Sequence, residues 1–255
     1  MESIVFTHYG KHASLSKFNY SRHCRKTGKF IKMKTAHFNM VEQQLRTWGI
    51  LNHRALAILA GVDREIFVPE NFKSLAFADV PLIIGDQVKG EIMLAPKIIG
   101  RILQALLELP RFIDEASVGN ILVVGTGTGY SSAIFSHLTT HLTSIEISKK
   151  LSATAEKNLA LAKISNCELV IGNALRIAQG KFDYIILTGA TPIVPKIFST
   201  LLNTDGSIFA FTGNQPAMQA QLITKLENDT WRTTNYFETV VPLLQCLPKV
   251  EEFKF

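Results

Sequence analysis

Three glycines within five residues, Gly125, Gly127 and Gly129, follow the apolar run ILVV and precede an apolar, helix-compatible segment. Glycine is costly in backbone entropy, so this cluster indicates that something must approach the main chain closely. A glycine turn between a strand and a helix presents backbone N–H groups to a bound ligand. The pattern therefore predicts a nucleotide-type binding loop, because a tight turn without a ligand would need fewer glycines.

The spacing of the glycines limits which nucleotide fits. The dinucleotide fingerprint G-x-G-x-x-G requires glycine at position 130, where this chain has Tyr130. The pattern G-x-G-x-G instead suits a ligand without a pyrophosphate. Glu146 ends the next apolar segment, and a carboxylate at that position can accept both hydroxyls of an unphosphorylated ribose. The alternative for Glu146 is a solvated acid at a strand end.

The elements around this loop follow an α/β pattern. Residues 40–51, 53–62 and 96–109 have the apolar spacing of helices, the second capped by Asn52 and the third starting at Pro96. From about residue 119, strands alternate with helices. The segments AQLITKLE and TNYFETVVPLL then alternate as an antiparallel ribbon would, joined by a polar turn at Asn228-Asp229. We predict a doubly wound, mostly parallel seven-stranded sheet with an N-terminal helical cap.

Charge is concentrated at one end of the chain. The net charge is +6, but residues 1–34 hold eight of the 27 Lys and Arg residues and only one acid, Glu2. The remainder is nearly neutral, so the basic pI is no evidence for a nucleic-acid partner. We interpret residues 1–33 as a basic, disordered or non-native extension with Met33 as the natural start, the alternatives being a targeting peptide or a basic binding arm. Residues 34–255 then form one domain.

Composition excludes several other classes of protein. No apolar run reaches the roughly 18 residues of a membrane span, so no membrane partner is expected. The three cysteines are far apart and form no CxxC, which argues against a disulfide or zinc framework and for a reducing, cytoplasmic location. The seven histidines show no metal-ligand spacing, and we expect no metal site.

The ordered segments MVEQQLRTWGIL, REIFVPE, LAFADVPLIIG, VGTGTGY and FDYIILTGATPIVP resemble the landmarks of the protein-L-isoaspartate O-methyltransferase family. The resemblance implies a Rossmann-like class I methyltransferase fold. It also implies methyl transfer from S-adenosylmethionine to the carboxylate of an isoaspartyl residue in a damaged protein or peptide. Residues 34–110 would form the cap and acceptor region, and residues 111–255 the cofactor-binding core. Seven positions are the implied cofactor-binding residues: Gly125, Thr126, Gly127, Gly129, Glu146, Asn173 and Ala174.

The chain departs from the family pattern around the expected acceptor. The family has a Thr-x-Ser-x-Pro stretch whose hydroxyls face the acceptor, whereas Ile92 and Leu94 occupy those positions here. Where the family has an acid two residues before the first glycine of the loop, this chain has Val123. Where the family has the Gly-Asp pair that binds the adenine amino group, this chain has Gly172-Asn173. If isoaspartyl residues are the acceptor, we expect backbone N–H groups of residues 89–94 to replace the missing hydroxyls. Asp79 either faces the acceptor cleft or caps a turn.

The sequence assigns no catalytic acid or base. A carboxylate is already a nucleophile at pH 7 and a sulfonium carries its own leaving group, so the enzyme's work is alignment. Two alternatives remain: a methyltransferase of the same fold with another acceptor that fits an apolar wall, and a non-catalytic S-adenosylmethionine-binding protein. The residues after the FDYIIL segment, Thr188-Gly189-Ala190, differ from the Asn/Asp-Pro-Pro-Tyr-like tetrapeptide of DNA base methyltransferases. The sequence does not give the oligomeric state.

Overall fold

The computed structural model describes residues 34–113, 118–176, 180–227 and 230–247. Two predictions fall outside these residues: the basic extension at 1–33 and the polar turn of the ribbon at Asn228-Asp229. The N-terminal half is built from short elements: α1 (Thr35–Asn39), a π turn (Met40–Leu45), a 3-10 turn (Arg46–Trp48), α2 (His53–Gly61) and 3-10 turns at Arg64–Phe67 and Glu70–Leu75, then β1 (Leu82–Ile83), β2 (Ile92–Met93), α3 (Pro96–Leu107) and α4 (Pro110–Ile113).

Two of these helices begin where the sequence indicates. The side chain of Asn52 accepts hydrogen bonds from the backbone N–H groups of Arg54 and Ala55, which caps α2. Helix α3 starts at Pro96, whose missing N–H is no loss in the first turn. Its apolar stripe, which includes Ile99 and Leu103, is buried in the core.

A second series of elements forms the main sheet. In chain order they are β3 (Val118–Val124), α5 (Tyr130–Ser136), β4 (Thr139–Glu146), α6 (Lys149–Leu161), β5 (Cys167–Ile171), a 3-10 turn (Ala174–Arg176), β6 (Phe182–Thr191), α7 (Lys196–Leu201), β7 (Leu202–Asn214), β8 (Ala217–Lys225) and β9 (Trp231–Glu238). The order of the strands is β5-β4-β3-β6-β7-β8-β9, parallel from β5 to β7 and antiparallel at β8 and β9. The predicted fold class is confirmed.

Both faces of the sheet are covered. Along β3, Ile121 and Val123 pack into the core cluster that contains α2, α3 and α5, while Leu122 and Val124 pack into the cluster that contains α7. A strand whose successive side chains are all buried is typical of a parallel sheet between two layers of helices. Among the described residues, no helix is long and apolar enough to cross a membrane.

The order of the strands also fixes where a ligand can bind. Strand β3 lies between β4 and β6, so the chain turns to one side of β3 first and to its other side later. Open α/β sheets bind ligands beyond the carboxyl ends of the strands at such a switch point. The glycine loop follows β3 directly, and Glu146 ends the adjacent strand β4.

Candidate functional site

The glycine loop has a backbone shape that other residues adopt only with strain. Gly125 has φ +93° and Gly127 has φ +57°, both in the left-handed region. A Cβ atom on Gly127 would lie 2.9 Å from Cδ1 of Ile84, and one on Gly125 would meet the hydroxyl of Thr188. The fold alone therefore requires glycine at these two positions, and the bare main chain then faces the space beyond the sheet.

Glu146 is joined to the glycine loop. Its Oε2 accepts a hydrogen bond from the backbone N–H of Gly127 at 2.8 Å, and its Oε1 accepts one from Ser148 at 2.9 Å. The residue is only 6% exposed. Burial raises the pKa of this carboxyl above its usual value, and hydrogen bonds from Ser148, Gly127 and Ile147 oppose the rise. A carboxylate has about four acceptor sites, so Glu146 keeps acceptor capacity for a ligand hydroxyl.

Glu146 and the loop border a cleft at the carboxyl ends of the parallel strands. The cleft contains about 740 Å³ of space, which includes open solvent at its mouth. Five of the seven expected cofactor-binding residues line it: Gly125, Gly127, Glu146, Asn173 and Ala174. The structure thus brings together residues that follow three different strands.

Asn173 follows β5 and begins the next turn. Its side-chain oxygen accepts a hydrogen bond from the backbone N–H of Leu175 at 2.9 Å, which positions the 3-10 turn that starts at Ala174. An amide oxygen has two lone pairs, so one remains for a donor in the cleft.

Thr126 and Gly129 do not line this cleft. The hydroxyl of Thr126 lies 2.7 Å from that of Ser144, inside the protein. A Cβ on Gly129 would lie 3.3 Å from Leu159 of α6, so this glycine allows helix and loop to pack closely. Both residues shape the loop rather than border its open side.

A smaller cavity of about 260 Å³ adjoins the cleft. Ile92 and Leu94, the two positions where the family has hydroxyls, line it together with Ile84. We call Ile92 and Leu94 the acceptor wall. Leu94 is buried, whereas Ile92 is partly exposed and also borders the large cleft. The wall that the sequence identifies as apolar therefore stands beside the glycine loop.

Asp79 lies elsewhere and borders neither space. Its Oδ1 accepts a hydrogen bond from the backbone N–H of Lys97 at 2.8 Å, and its Oδ2 lies 3.5 Å from the Lys97 ammonium. Asp79 thus caps the first turn of α3, the helix that follows Ile92 and Leu94. Of the two roles that the sequence leaves open for Asp79, the structure shows the capping role.

Two parts of the cleft have no signal in the sequence. Thr188 donates its hydroxyl to the carbonyl of Gly125 at 2.6 Å and so braces the loop from β6. The segment after β9 pairs with the end of β6 through Pro242 and Leu244, whose backbone groups bond to Ala190. Leu244 lines the cleft, so the C-terminal segment forms one of its walls.

These features define a class I methyltransferase fold: a parallel sheet with two antiparallel strands at one edge, a glycine loop after the first main strand and an acid, Glu146, at the end of the second. A crystal structure from Plasmodium falciparum, described as a protein-L-isoaspartate O-methyltransferase in complex with S-adenosyl-L-homocysteine, shares this fold. The two superpose with a TM-score of 0.68 over 83% of this chain and 99% of that one, at 20% identity.

The sequence comparisons identify the family. The family model for protein-L-isoaspartate(D-aspartate) O-methyltransferase matches residues 36–245. The protein-L-isoaspartate O-methyltransferase of Methanoculleus marisnigri is 30% identical over 190 residues, which cover 74% of this chain and 82% of the relative. That of Klebsiella pneumoniae is 33% identical over 174 residues, or 68% and 79%. The chain belongs to the protein-L-isoaspartate O-methyltransferase family, and the resemblance seen in its sequence is confirmed.

Proposed function

We propose that this protein transfers the methyl group of S-adenosylmethionine to the α-carboxylate of isoaspartyl residues in proteins and peptides. One observation in the structure supports this most strongly: the nearly buried carboxylate of Glu146 stands at the end of β4 and binds the N–H of Gly127. The glycine spacing of this loop differs from the fingerprint that binds a pyrophosphate, and an acid at the end of the next strand can bind a ribose. Together they suit an adenosine that carries a short, unphosphorylated tail.

The cleft fits the parts of this cofactor. The free lone pairs of Glu146 accept the two ribose hydroxyls, and the amide of Asn173 presents an oxygen to the adenine amino group. The methionine portion would lie against the main chain at Gly125 and Gly127, both of which line the cleft. In this proposal Thr126, Gly129 and Ala174 shape the surrounding wall.

The reaction needs alignment more than acid–base chemistry. The bound sulfonium supplies an electrophilic methyl group and a neutral leaving group. The acceptor carboxylate is ionised at pH 7, so no general base has to act on it. The chain holds the carboxylate about 3 Å from the reacting carbon and in line with the bond that breaks. Opposite charges disappear in the transfer, and the apolar Ile92 and Leu94 favour that change by excluding water.

The two parts of the domain divide this work in the proposal. Residues 111–255 carry the cofactor residues, and residues 34–110 supply the acceptor side through the hairpin β1–β2. Ile84 and Ile92 of this hairpin border both the cleft and the smaller cavity. The methyl group and its acceptor therefore meet between the glycine loop and the hairpin.

A second function keeps the same cofactor and changes the acceptor. The observation that favours it is the pair Ile92 and Leu94, which puts apolar side chains where the family has hydroxyls. A neutral or apolar acceptor would fit such a wall, because it would not require hydrogen-bond donors there.

Incubation with methyl-labelled S-adenosylmethionine and a synthetic isoaspartyl peptide separates these functions. Label that appears on the peptide and is released by base identifies a carboxyl methyl ester and supports the main proposal. Cofactor binding in calorimetry without any transfer to the peptide favours the second acceptor class or a non-catalytic protein. Absence of cofactor binding contradicts all three.

A further inference from the structure

The smaller cavity contains two polar groups that the rest of the protein leaves unused. Thr128 and Tyr130 line it, opposite Ile92 and Leu94 of the acceptor wall. Both are almost wholly buried, at 4% and 1% exposure. Within the described part of the chain, neither hydroxyl oxygen has a hydrogen-bond partner. Buried hydroxyls are nearly always satisfied in native proteins, so these two are left for a bound water or a ligand in the cavity.

Two other hydroxyls around the cavity are already engaged. The hydroxyl of Thr188 donates to the carbonyl of Gly125, and that of Thr126 is within hydrogen-bond distance of Ser144. Four backbone N–H groups of the stretch 89–94, which the sequence offers as donors to the acceptor, are used within the hairpin loop. Those of residues 89 and 91 donate to Asp86, that of residue 90 to Gln87 and that of residue 92 to Gly90. Among the described residues that line the cavity, Thr128 and Tyr130 carry the buried side-chain hydroxyls without a partner.

A positive charge lies beside the ring of Tyr130. Arg64 is wholly buried, and its guanidinium carbon lies 5.6 Å from the ring centroid of Tyr130. Its nitrogens donate to main-chain carbonyls, among them those of Ala76 at 2.6 Å and Leu94 at 3.5 Å. Among the described residues, no carboxylate lies within ion-pair distance of it. Asp79, which pairs with Lys97, acts on this cation only from beyond ion-pair distance. An anion in the adjoining cavity would therefore add to the stabilisation of the buried guanidinium.

The phenol of Tyr130 keeps its proton and can donate it in a hydrogen bond. Burial raises the pKa of its phenol to about 12, with the nearby Arg64 acting in the opposite direction. The hydroxyl is therefore protonated at pH 7 and can donate to an anion. A hydrogen bond from a neutral donor to a carboxylate is stronger than one between neutral groups.

We infer that the isoaspartyl carboxylate docks in this cavity, where it accepts hydrogen bonds from the hydroxyls of Thr128 and Tyr130 while Arg64 supplies the counter-charge. The inference rests on the proposed function and names the acceptor-binding residues for it. In this chain the donors come from the glycine loop, on the side of the cavity opposite the positions where the family carries its Thr and Ser.

The test compares Tyr130→Phe and Thr128→Val with two controls. Thr128→Ser keeps a hydroxyl at the same place, and Tyr184→Phe removes the hydroxyl of another wholly buried tyrosine that borders neither space. For each variant, KM and kcat for an isoaspartyl peptide, the affinity for S-adenosylmethionine and the free energy of unfolding are measured. A peptide with the carboxylate replaced by a carboxamide serves as a competitive inhibitor.

We expect Tyr130→Phe and Thr128→Val each to raise KM for the peptide at least about tenfold, the usual effect of losing a hydrogen bond to a charged group. Cofactor affinity should stay unchanged, and stability should stay equal or rise because an unsatisfied buried hydroxyl has gone. Thr128→Ser should regain most of the peptide affinity that Thr128→Val loses, and Tyr184→Phe should keep the wild-type KM. The carboxamide peptide should bind wild type and Tyr130→Phe with similar, weak affinity.

Each contrary result has a distinct meaning. Wild-type transfer with an unchanged KM in both variants overturns the inference and leaves the proposed function standing. A loss of cofactor affinity in the variants assigns Thr128 and Tyr130 to the cofactor site and overturns it as well. Absence of any wild-type transfer to isoaspartyl peptides overturns the proposed function and the inference together.

Discussion

The carboxylate of Glu146 and the backbone N–H of Gly127 are joined by a hydrogen bond of 2.8 Å that links the end of β4 to the loop after β3. The same carboxylate accepts a bond from Ser148, at the start of α6. One side chain thus holds together the loop, a strand end and a helix start. It also borders the cleft, so it can shape the site and bind a ligand at once.

Replacing Glu146 with Ala should weaken S-adenosylmethionine binding by about 1.5–3 kcal/mol, because hydrogen bonds to a charged acceptor are lost. Isothermal calorimetry measures this directly. Glu168→Ala is the matched control, since Glu168 is an exposed acid on the neighbouring strand β5 and does not line the cleft. Equal affinity in Glu146→Ala and wild type would remove Glu146 from the cofactor site.

Gly127→Val should abolish measurable cofactor binding. A branched side chain is strained at φ +57°, and its Cβ would press on Ile84 and enter the space of the cofactor. Gly61→Val is the control, because a Cβ at Gly61 meets no atom within 4 Å and its φ lies outside the left-handed region. Binding by Gly127→Val at wild-type strength would show that the ligand does not approach this part of the main chain.

Restoring the family's hydroxyls tests the acceptor wall. The double variant Ile92→Thr, Leu94→Ser should raise kcat/KM for an isoaspartyl peptide, because each donor aimed at a carboxylate contributes on the order of 1.5–3 kcal/mol. The double variant Ile92→Val, Leu94→Ala removes similar volume without adding hydroxyls, and it should show no gain. A fall in kcat/KM in the restored variant alone would indicate that the natural acceptor needs an apolar wall.

His37 should make folding sensitive to acid. It is buried, stacks on Phe77 and lies 3.0 Å from the carbonyl of Leu59, and burial lowers its pKa below the ordinary value of 6.5. The neutral form is favoured in the folded state, so its full stability contribution is present above pH 6.5 and is lost as the pH falls from there towards the lowered pKa.

Urea unfolding of wild type and His37→Gln between pH 8 and pH 5 measures this effect. We expect the difference in unfolding free energy between the two proteins to shrink on acidification, with a slope of at most about 1.4 kcal/mol per pH unit for one proton. Parallel pH profiles for the two proteins would show that His37 does not titrate between the folded and unfolded states.

Regular periodicity made much of the fold predictable. The apolar stripe of α3 and the buried run of β3 are long enough to set a period, and Pro96 and Asn52 mark helix starts by their own chemistry. The glycine loop and Glu146 could be found because their residue types are unusual at a strand end. The apolar alternation predicts a last strand that extends to residue 244, and this boundary is wrong because β9 ends at Glu238.

The acceptor side could not be predicted to the same depth. The hairpin β1–β2 has only two residues in each strand, too few to show alternation. Segment 40–51 was predicted as one helix, but it continues from α1 as a π turn and then a 3-10 turn, a distinction that side-chain spacing does not carry. Arg64 contacts two residues of the cavity wall, Leu94 and Tyr130, and this proximity depends on packing between distant segments.

The most direct test of the proposed function uses two peptides that differ only in one residue, isoaspartyl in one and aspartyl in the other. Initial rates of methyl transfer from labelled S-adenosylmethionine give kcat/KM for each. The proposed function predicts base-labile label on the isoaspartyl peptide and a kcat/KM far above that for the aspartyl peptide. Equal rates on both peptides, or cofactor binding with transfer to neither, would contradict it.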